Sequence, residues 1–135
     1  GRAKLFTGRV FSGAADFYHL GTISRREPVW CSEVVFWLSE YRVYVIGEAI
    51  VSVDCYSGDA SIALDQSVLA DAVANYRRSG EAPAAFAIDF GVLSSRESAL
   101  VEANDGYALG AYKITSAPYS ELLFTRWRQL ISSSV

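Results

Sequence analysis

An α+β fold, with a largely antiparallel sheet and flanking helices, is what this sequence predicts, and three observations predict it. Runs of β-branched and aromatic residues come in pairs joined by turn residues, the mark of hairpins. Two longer stretches carry apolar residues at helical spacing. The order along the chain is strands, helix, strands, helix.

Each element follows from its residues. Residues 4–11 form two apolar runs broken by Thr7-Gly8, which predicts strand, tight turn, strand. Residues 14–20 suit a short helix stopped by Gly21. Residues 29–38 are rich in β-branched and aromatic side chains and predict a strand. Residues 41–46 and 49–55 then make the clearest hairpin, joined by Gly47-Glu48; glycine in first place is what a type II′ turn requires. Residues 61–78 predict a helix, with Ile62, Leu69, Val73 and Tyr76 on one side and Gly80 after its end. Residues 84–92 and 99–104 form a second strand pair around Ser94-Ser95-Arg96-Glu97. Residues 119–131 form a closing helix, preceded by Pro118. With no internal repeat and no linker, residues 1–135 read as a single domain.

Composition narrows the function. At 135 residues, 51% apolar and 20% charged, the chain can bury a real core and is not of the disordered class. A net charge of −3 argues against a general nucleic-acid binder. No apolar run approaches the ~20 residues of a membrane span, and no signal-peptide pattern opens the chain, so a cytoplasmic protein is expected. Cys31 and Cys55 are too few for a disulfide scaffold and read as buried free thiols.

One buried-looking strand carries a carboxylate, Asp89, in its middle. Its partner strand presents Glu102 and Asn104, two apart and therefore on one face. A turn centred between Ser95 and Arg96 places Asp89 directly opposite Glu102, with Cβ atoms about 5 Å apart. Two opposed carboxylates repel unless something positive lies between them. Three readings satisfy this. A hard divalent cation such as Mg²⁺ takes oxygen ligands of this kind. The acids could instead lie on a solvent face, neutralised by Arg96 or another basic residue. Retaining glycoside hydrolases also hold two carboxylates ~5–5.5 Å apart, although Asn104 would then lack a role. Under the metal reading, Asp89→Asn should leave the fold largely intact and relieve repulsion in the empty form.

Asp89-x-Gly91 followed by Leu100-Val101-Glu102-Ala103-Asn104-Asp105-Gly106 resembles the metal-binding strands of the ATP-grasp superfamily. The segment from Ser32 to Glu48 is similar to that family's hinge strand and following hairpin. The resemblance implies that Asp89, Glu102 and Asn104 hold Mg²⁺ against ATP. It also implies that Glu33 opens the adenine-binding hinge and that Glu40, seven residues on, grips the ribose. Backbone groups from Val34 through Phe36 to Leu38 would read the adenine edge, and Phe36 and Trp37 would wall the slot. Aromatic residues in a strand serve as plain core just as well. Lys4, beside the Thr7-Gly8 turn, is the nearest counterpart of the family's phosphate-binding lysine. The whole chain is most similar to a little-characterised bacterial and phage clade of that superfamily. Family members carry a substrate domain and an earlier set of strands, neither of which precedes Gly1. The chain is therefore expected to be the C-terminal part of an ATP-grasp domain.

Arg42 shares one side of its strand with Tyr44, among apolar neighbours. Its planar fork suits a transferring phosphoryl group or a substrate carboxylate; the alternative is an ion pair with Glu33, Glu40 or Asp54. His19 reads as a solvated helix residue, Arg77-Arg78 as a helix cap, and Arg126 and Arg128 as surface charges. The resemblance implies an ATP- and Mg²⁺-dependent ligase joining a carboxylate to an amine through an acyl phosphate. The rival reading is a non-catalytic nucleotide-binding module that works with a partner chain. Apolar surface left open by a missing front part would favour self-association.

Overall fold

The computed structural model describes residues 7–21, 23, 24 and 26–132. They form two compact units, Gly1–Val34 and Val35–Val135.

In the first unit the sequence expectation for a short helix at Ala14–Leu20 is met by a 3₁₀ helix. Asp16 organises its start: the carboxylate accepts from the backbone N–H groups of Ser12, at 2.6 Å, and Gly13, at 3.0 Å. Those bonds hold the Asp16 carboxyl below its ordinary pKa. His19 is exposed, as read. The strand expected over residues 29–38 does not form; only Trp37 and Leu38 enter one. Val29, Trp30 and Val34 are exposed, and β-branched content reports fitness for a half-buried pleated surface, which these residues do not have. Residues 7–11 are likewise without strand, and residues 4–6 of that expected hairpin lie outside the described residues. Cys31 is exposed and free, against the expectation of a buried thiol; Cys55 is half-buried and free.

The second unit is built on a four-stranded, wholly antiparallel sheet. Its strands are β1 (Trp37–Ile46), β2 (Ala49–Gly58), β3 (Ala85–Leu93) and β4 (Ser98–Asp105), in the spatial order β2-β1-β3-β4. Helix α1 (Gln66–Arg78) joins the two hairpins and helix α2 (Ser116–Ser132) closes the chain. The Gly47-Glu48 turn forms where expected, with Gly47 at φ 58 and no positive φ at Glu48, as a type II′ turn needs.

Helix α1 begins at Gln66, five residues after the predicted start at Ser61, because Asp65 caps it, accepting from Ser67 N at 2.8 Å and Val68 N at 3.4 Å. Ile62 still packs on the core, but from the preceding loop. Helix α2 starts earlier than predicted, at Ser116, so Pro118 lies within its first turn. Proline is tolerated there because the first N–H groups of a helix have no intrahelical acceptor.

Period-2 alternation divides the sheet into two faces. Tyr41, Val43, Val45, Phe86, Ile88, Phe90 and Val92 share the apolar face with Leu64, Leu69 and Val73. Tyr76 of α1 meets Phe86 edge-on, ring centroids 5.1 Å apart. On the other face, Tyr44, Ala85 and Ala87 pack with Leu109, Ile114 and Leu122 of α2. Arg126, expected at the surface, is instead tied to Asp105 by two 2.6 Å bonds that anchor α2 to the end of β4. Arg77 reaches beyond its own helix, donating to the carbonyls of Gly47, Pro83 and Ala84.

Candidate active site

The part of the second face not covered by α2 carries the polar residues. Strand register lays them in a row: Asp54 on β2 pairs with Arg42 on β1, Arg42 with Asp89 on β3, and Asp89 with Glu102 on β4. The predicted Asp89–Glu102 pairing is therefore present, though by a different turn. The loop has three residues, Ser94, Ser95 and Arg96, with Arg96 at φ 72, and it is closed by Leu93 N donating to Glu97 O at 2.9 Å and Arg96 N donating to Leu93 O at 2.8 Å. A bulge between Asp89 and Phe90, which leaves Val101 unpaired, restores the predicted register further along.

Asp89 is 3% exposed, and Arg42 takes both of its oxygens: Nε donates to Oδ1 at 2.8 Å and an Nη to Oδ2 at 2.6 Å. This corrects the sequence reading, in which the partners considered for Arg42 were Glu33, Glu40 and Asp54. The bond to Asp89 drives the guanidinium pKa well above its ordinary value, so Arg42 is permanently charged. It also removes the expectation that Asp89→Asn would relieve repulsion, because Asp89 is the counter-ion of a buried cation.

Tyr112 and Tyr56 stack with centroids 4.8 Å apart, and the Arg42 guanidinium carbon lies 4.9 Å from the Tyr112 centroid and 6.0 Å from that of Tyr56. Tyr56 occupies a bulge in β2 and donates from its hydroxyl to Glu40 Oε2 at 3.3 Å. Burial first, then the charges of Asp89 and Glu40, push the Tyr56 hydroxyl pKa up. Asp54, 4% exposed, accepts from the N–H groups of Lys113 and Ile114 at 2.6 Å each. Tyr44 adds a second tie to that segment, donating to Gly110 O at 3.0 Å and accepting from Tyr112 N at 3.2 Å. Together these bonds fix the loop that delivers Tyr112 to Arg42.

The sheet thus gathers Arg42, Glu40, Asp89, Glu102 and Asn104. Asn104 Nδ2 donates to Glu102 Oε1 at 3.0 Å, which aligns the two side chains on β4. Phe36 is 74% exposed and accepts from Ser94 N through its carbonyl. Trp37 lies flat on Gly91, where any Cβ would strike its ring; this accounts for the glycine two after Asp89. Glu33 and Val34 belong to the first unit, exposed and outside regular structure. Lys4 lies outside the described residues. Sequence reading missed Tyr56, Tyr112 and the role of Asp54; an aromatic residue in the polar phase of β2 was the available signal.

Among the described residues no group of three or more His, Cys, Asp and Glu side chains could hold a metal. Two carboxylates and an amide make a smaller set, and its chemistry fits a hard cation: all the donors are oxygen, and the Arg42–Asp89–Glu102 row carries an excess of negative charge. No described helix is long and apolar enough to cross a membrane.

Neither a curated protein nor a solved structure matches the chain. A family model described as ATP-grasp domain, R2K clade family 2, matches residues 1–122. That span holds the antiparallel sheet, the Asp89–Glu102 pairing and the loop of Tyr112, and through it the chain belongs to the ATP-grasp superfamily, a superfamily of ATP-dependent, ligase-type domains.

Proposed function

We propose that the chain is the nucleotide- and Mg²⁺-binding part of an ATP-dependent carboxylate–amine ligase, corresponding to the C-terminal portion of an ATP-grasp domain and working in the cytoplasm. The observation that carries the reading is the Arg42–Asp89–Glu102 row, with Asn104 beside Glu102, on the polar face of the sheet.

In this reading a substrate carboxylate oxygen attacks the γ-phosphorus of ATP, the bond to the β,γ-bridging oxygen breaks, and ADP leaves. An amine then attacks the acyl carbon of the acyl phosphate, inorganic phosphate departs, and the amine nitrogen loses a proton. Asp89, Glu102 and Asn104 would hold Mg²⁺, which supplies charge neutralisation on the phosphates. Arg42 offers a planar, permanently charged fork to the transferring phosphoryl group. Tyr112 and Tyr56 keep that fork in plane. Glu40 would accept from the ribose hydroxyls, its position set by Tyr56. The resemblance assigns adenine contacts to Glu33, Val34 and Phe36 and a phosphate contact to Lys4. Such catalysis is positioning and electrostatics, so it needs no side-chain nucleophile.

Calorimetric titration with ATP, GTP and inorganic triphosphate tests the nucleotide reading. ATP should bind more tightly than GTP, and Glu40→Ala should weaken ATP more than triphosphate. Equal losses for both would assign Glu40 to the fold alone. Phosphate release over a panel of amino acids and peptides separates a ligase from a non-catalytic module. Amine-dependent turnover by this chain would overturn its reading as a part that needs the rest of the enzyme. Sedimentation of the chain alone tests the expected self-association.

A further inference from the structure

We propose that Arg42 is a resident counter-ion that occupies the cation's place beside Asp89 in the empty site and is exchanged for a divalent cation when the site fills. The inference rests on the reading of Asp89 and Glu102 as metal ligands.

A carboxylate 3% exposed cannot stand alone, because an unpaired buried charge is strongly disfavoured. Asp89 meets this need through the two bonds from Arg42, one to each oxygen. Its other neighbour in the row is Glu102, which is exposed and opposite it in register. Asp89 is thus flanked by one cation and one anion. A divalent ion shared with Glu102 would supply the positive charge that Arg42 supplies in the empty site. The fork and the ion cannot both approach the two oxygens along the lone pairs that Arg42 occupies.

The surroundings of Arg42 permit release without stranding it. Asp54, next in the row, is already committed to the N–H groups of Lys113 and Ile114 and does not pull Arg42 away. The guanidinium rests face-on near Tyr112, whose ring stacks on Tyr56. A planar cation on an aromatic face can turn its edge while keeping that contact. Turned from Asp89, the fork becomes free for a phosphoryl group. Loading the cation and arming Arg42 are then one event.

The test uses the full chain with Mn²⁺ alone, its binding read by electron paramagnetic resonance of the free ion, and Mg²⁺–ATP measured alongside. Arg42→Met should bind Mn²⁺ about tenfold or more tightly than wild type, since a positive charge next to the ligands is gone. Its affinity for Mg²⁺–ATP should not rise in step. Unchanged or weaker Mn²⁺ binding in Arg42→Met, with binding lost in Asp89→Asn, overturns the exchange and leaves the metal reading standing. Mn²⁺ and Mg²⁺–ATP binding untouched by Asp89→Asn removes the metal reading and the exchange with it. If Arg42→Met does not fold, the wild-type Nε–H resonance of Arg42 decides. It should be protected from solvent exchange in the empty chain and lose that protection at saturating Mg²⁺; retained protection refutes the exchange.

Discussion

Along β3, alternate residues belong to different chemistries. Phe86, Ile88, Phe90 and Val92 lie on the apolar face with Leu69 and Val73 of α1. Ala85, Ala87, Asp89 and Gly91 look onto the face that carries Arg42 and Tyr44. Both sets are buried, and the backbone beneath them is the same. The apolar face is held by summed area, so each residue contributes independently and its loss leaves a cavity. The polar face is held by matched partners, and there removing one residue harms mainly through the one left behind.

Double mutants distinguish the two regimes most sharply. Phe86→Ala and Asp89→Leu should each cost about 3–5 kcal/mol, the first by cavity and the second by stranding Arg42. Adding Arg42→Met to Asp89→Leu should recover most of the loss, because a buried ion pair replaced by apolar side chains is often neutral. Adding Tyr76→Ala to Phe86→Ala should recover nothing. Chemical denaturation of the set measures both cycles, and equal behaviour would abolish the distinction between the faces.

Asp54→Ala comes next, at about 2–4 kcal/mol, because two backbone N–H groups, the buried one of Ile114 among them, lose a charged acceptor. The comparison is sharpened if Tyr112 also loosens: amide exchange at Lys113 and Ile114 should speed up while α1 stays protected. Gly91→Ala should cost about 1–3 kcal/mol by driving a Cβ into the Trp37 ring. It probes whether the polar face is also closely packed where it meets Trp37, and a neutral result would mean that the ring moves freely aside.

The smallest effect lies outside both faces. Asp65→Ala removes the α1 cap, and its penalty should depend on pH. Bonds from Ser67 lower the Asp65 carboxyl below its ordinary value of 3.8. A depressed pKa stabilises the fold above the unfolded value, and that contribution disappears as pH falls through the folded one. Thermal unfolding should therefore separate wild type from Asp65→Ala at neutral pH and bring them together as pH falls below the carboxyl's lowered value. A gap that persists in acid would assign the loss to packing.

Local pattern was enough for much of this protein. Gly47-Glu48 specified its turn, because only glycine takes positive φ without strain. Helical spacing identified α1 and α2, though not their first residues, since Asp65 and Pro118 decide those through caps and missing donors. The Asp89–Glu102 pairing came from strand spacing across a short connection. Even there, the two-residue turn expected at Ser95-Arg96 is a three-residue loop, and the register holds because the bulge at Val101 compensates. The segment 29–38 misled, because β-branched composition describes a surface that fits a sheet without supplying the neighbouring strand.

Tertiary structure decided the rest. That β1 lies beside β3, and so gives Asp89 the partner Arg42 at a separation of 47 residues, is set by how two hairpins dock. Asp54 bonds the Lys113 and Ile114 amides some 60 residues away, and Tyr56 stacks on Tyr112, for the same reason. Periodicity records which way a side chain points relative to its own strand. It carries no information on which distant strand will be its neighbour, and a buried charge is defined by that neighbour.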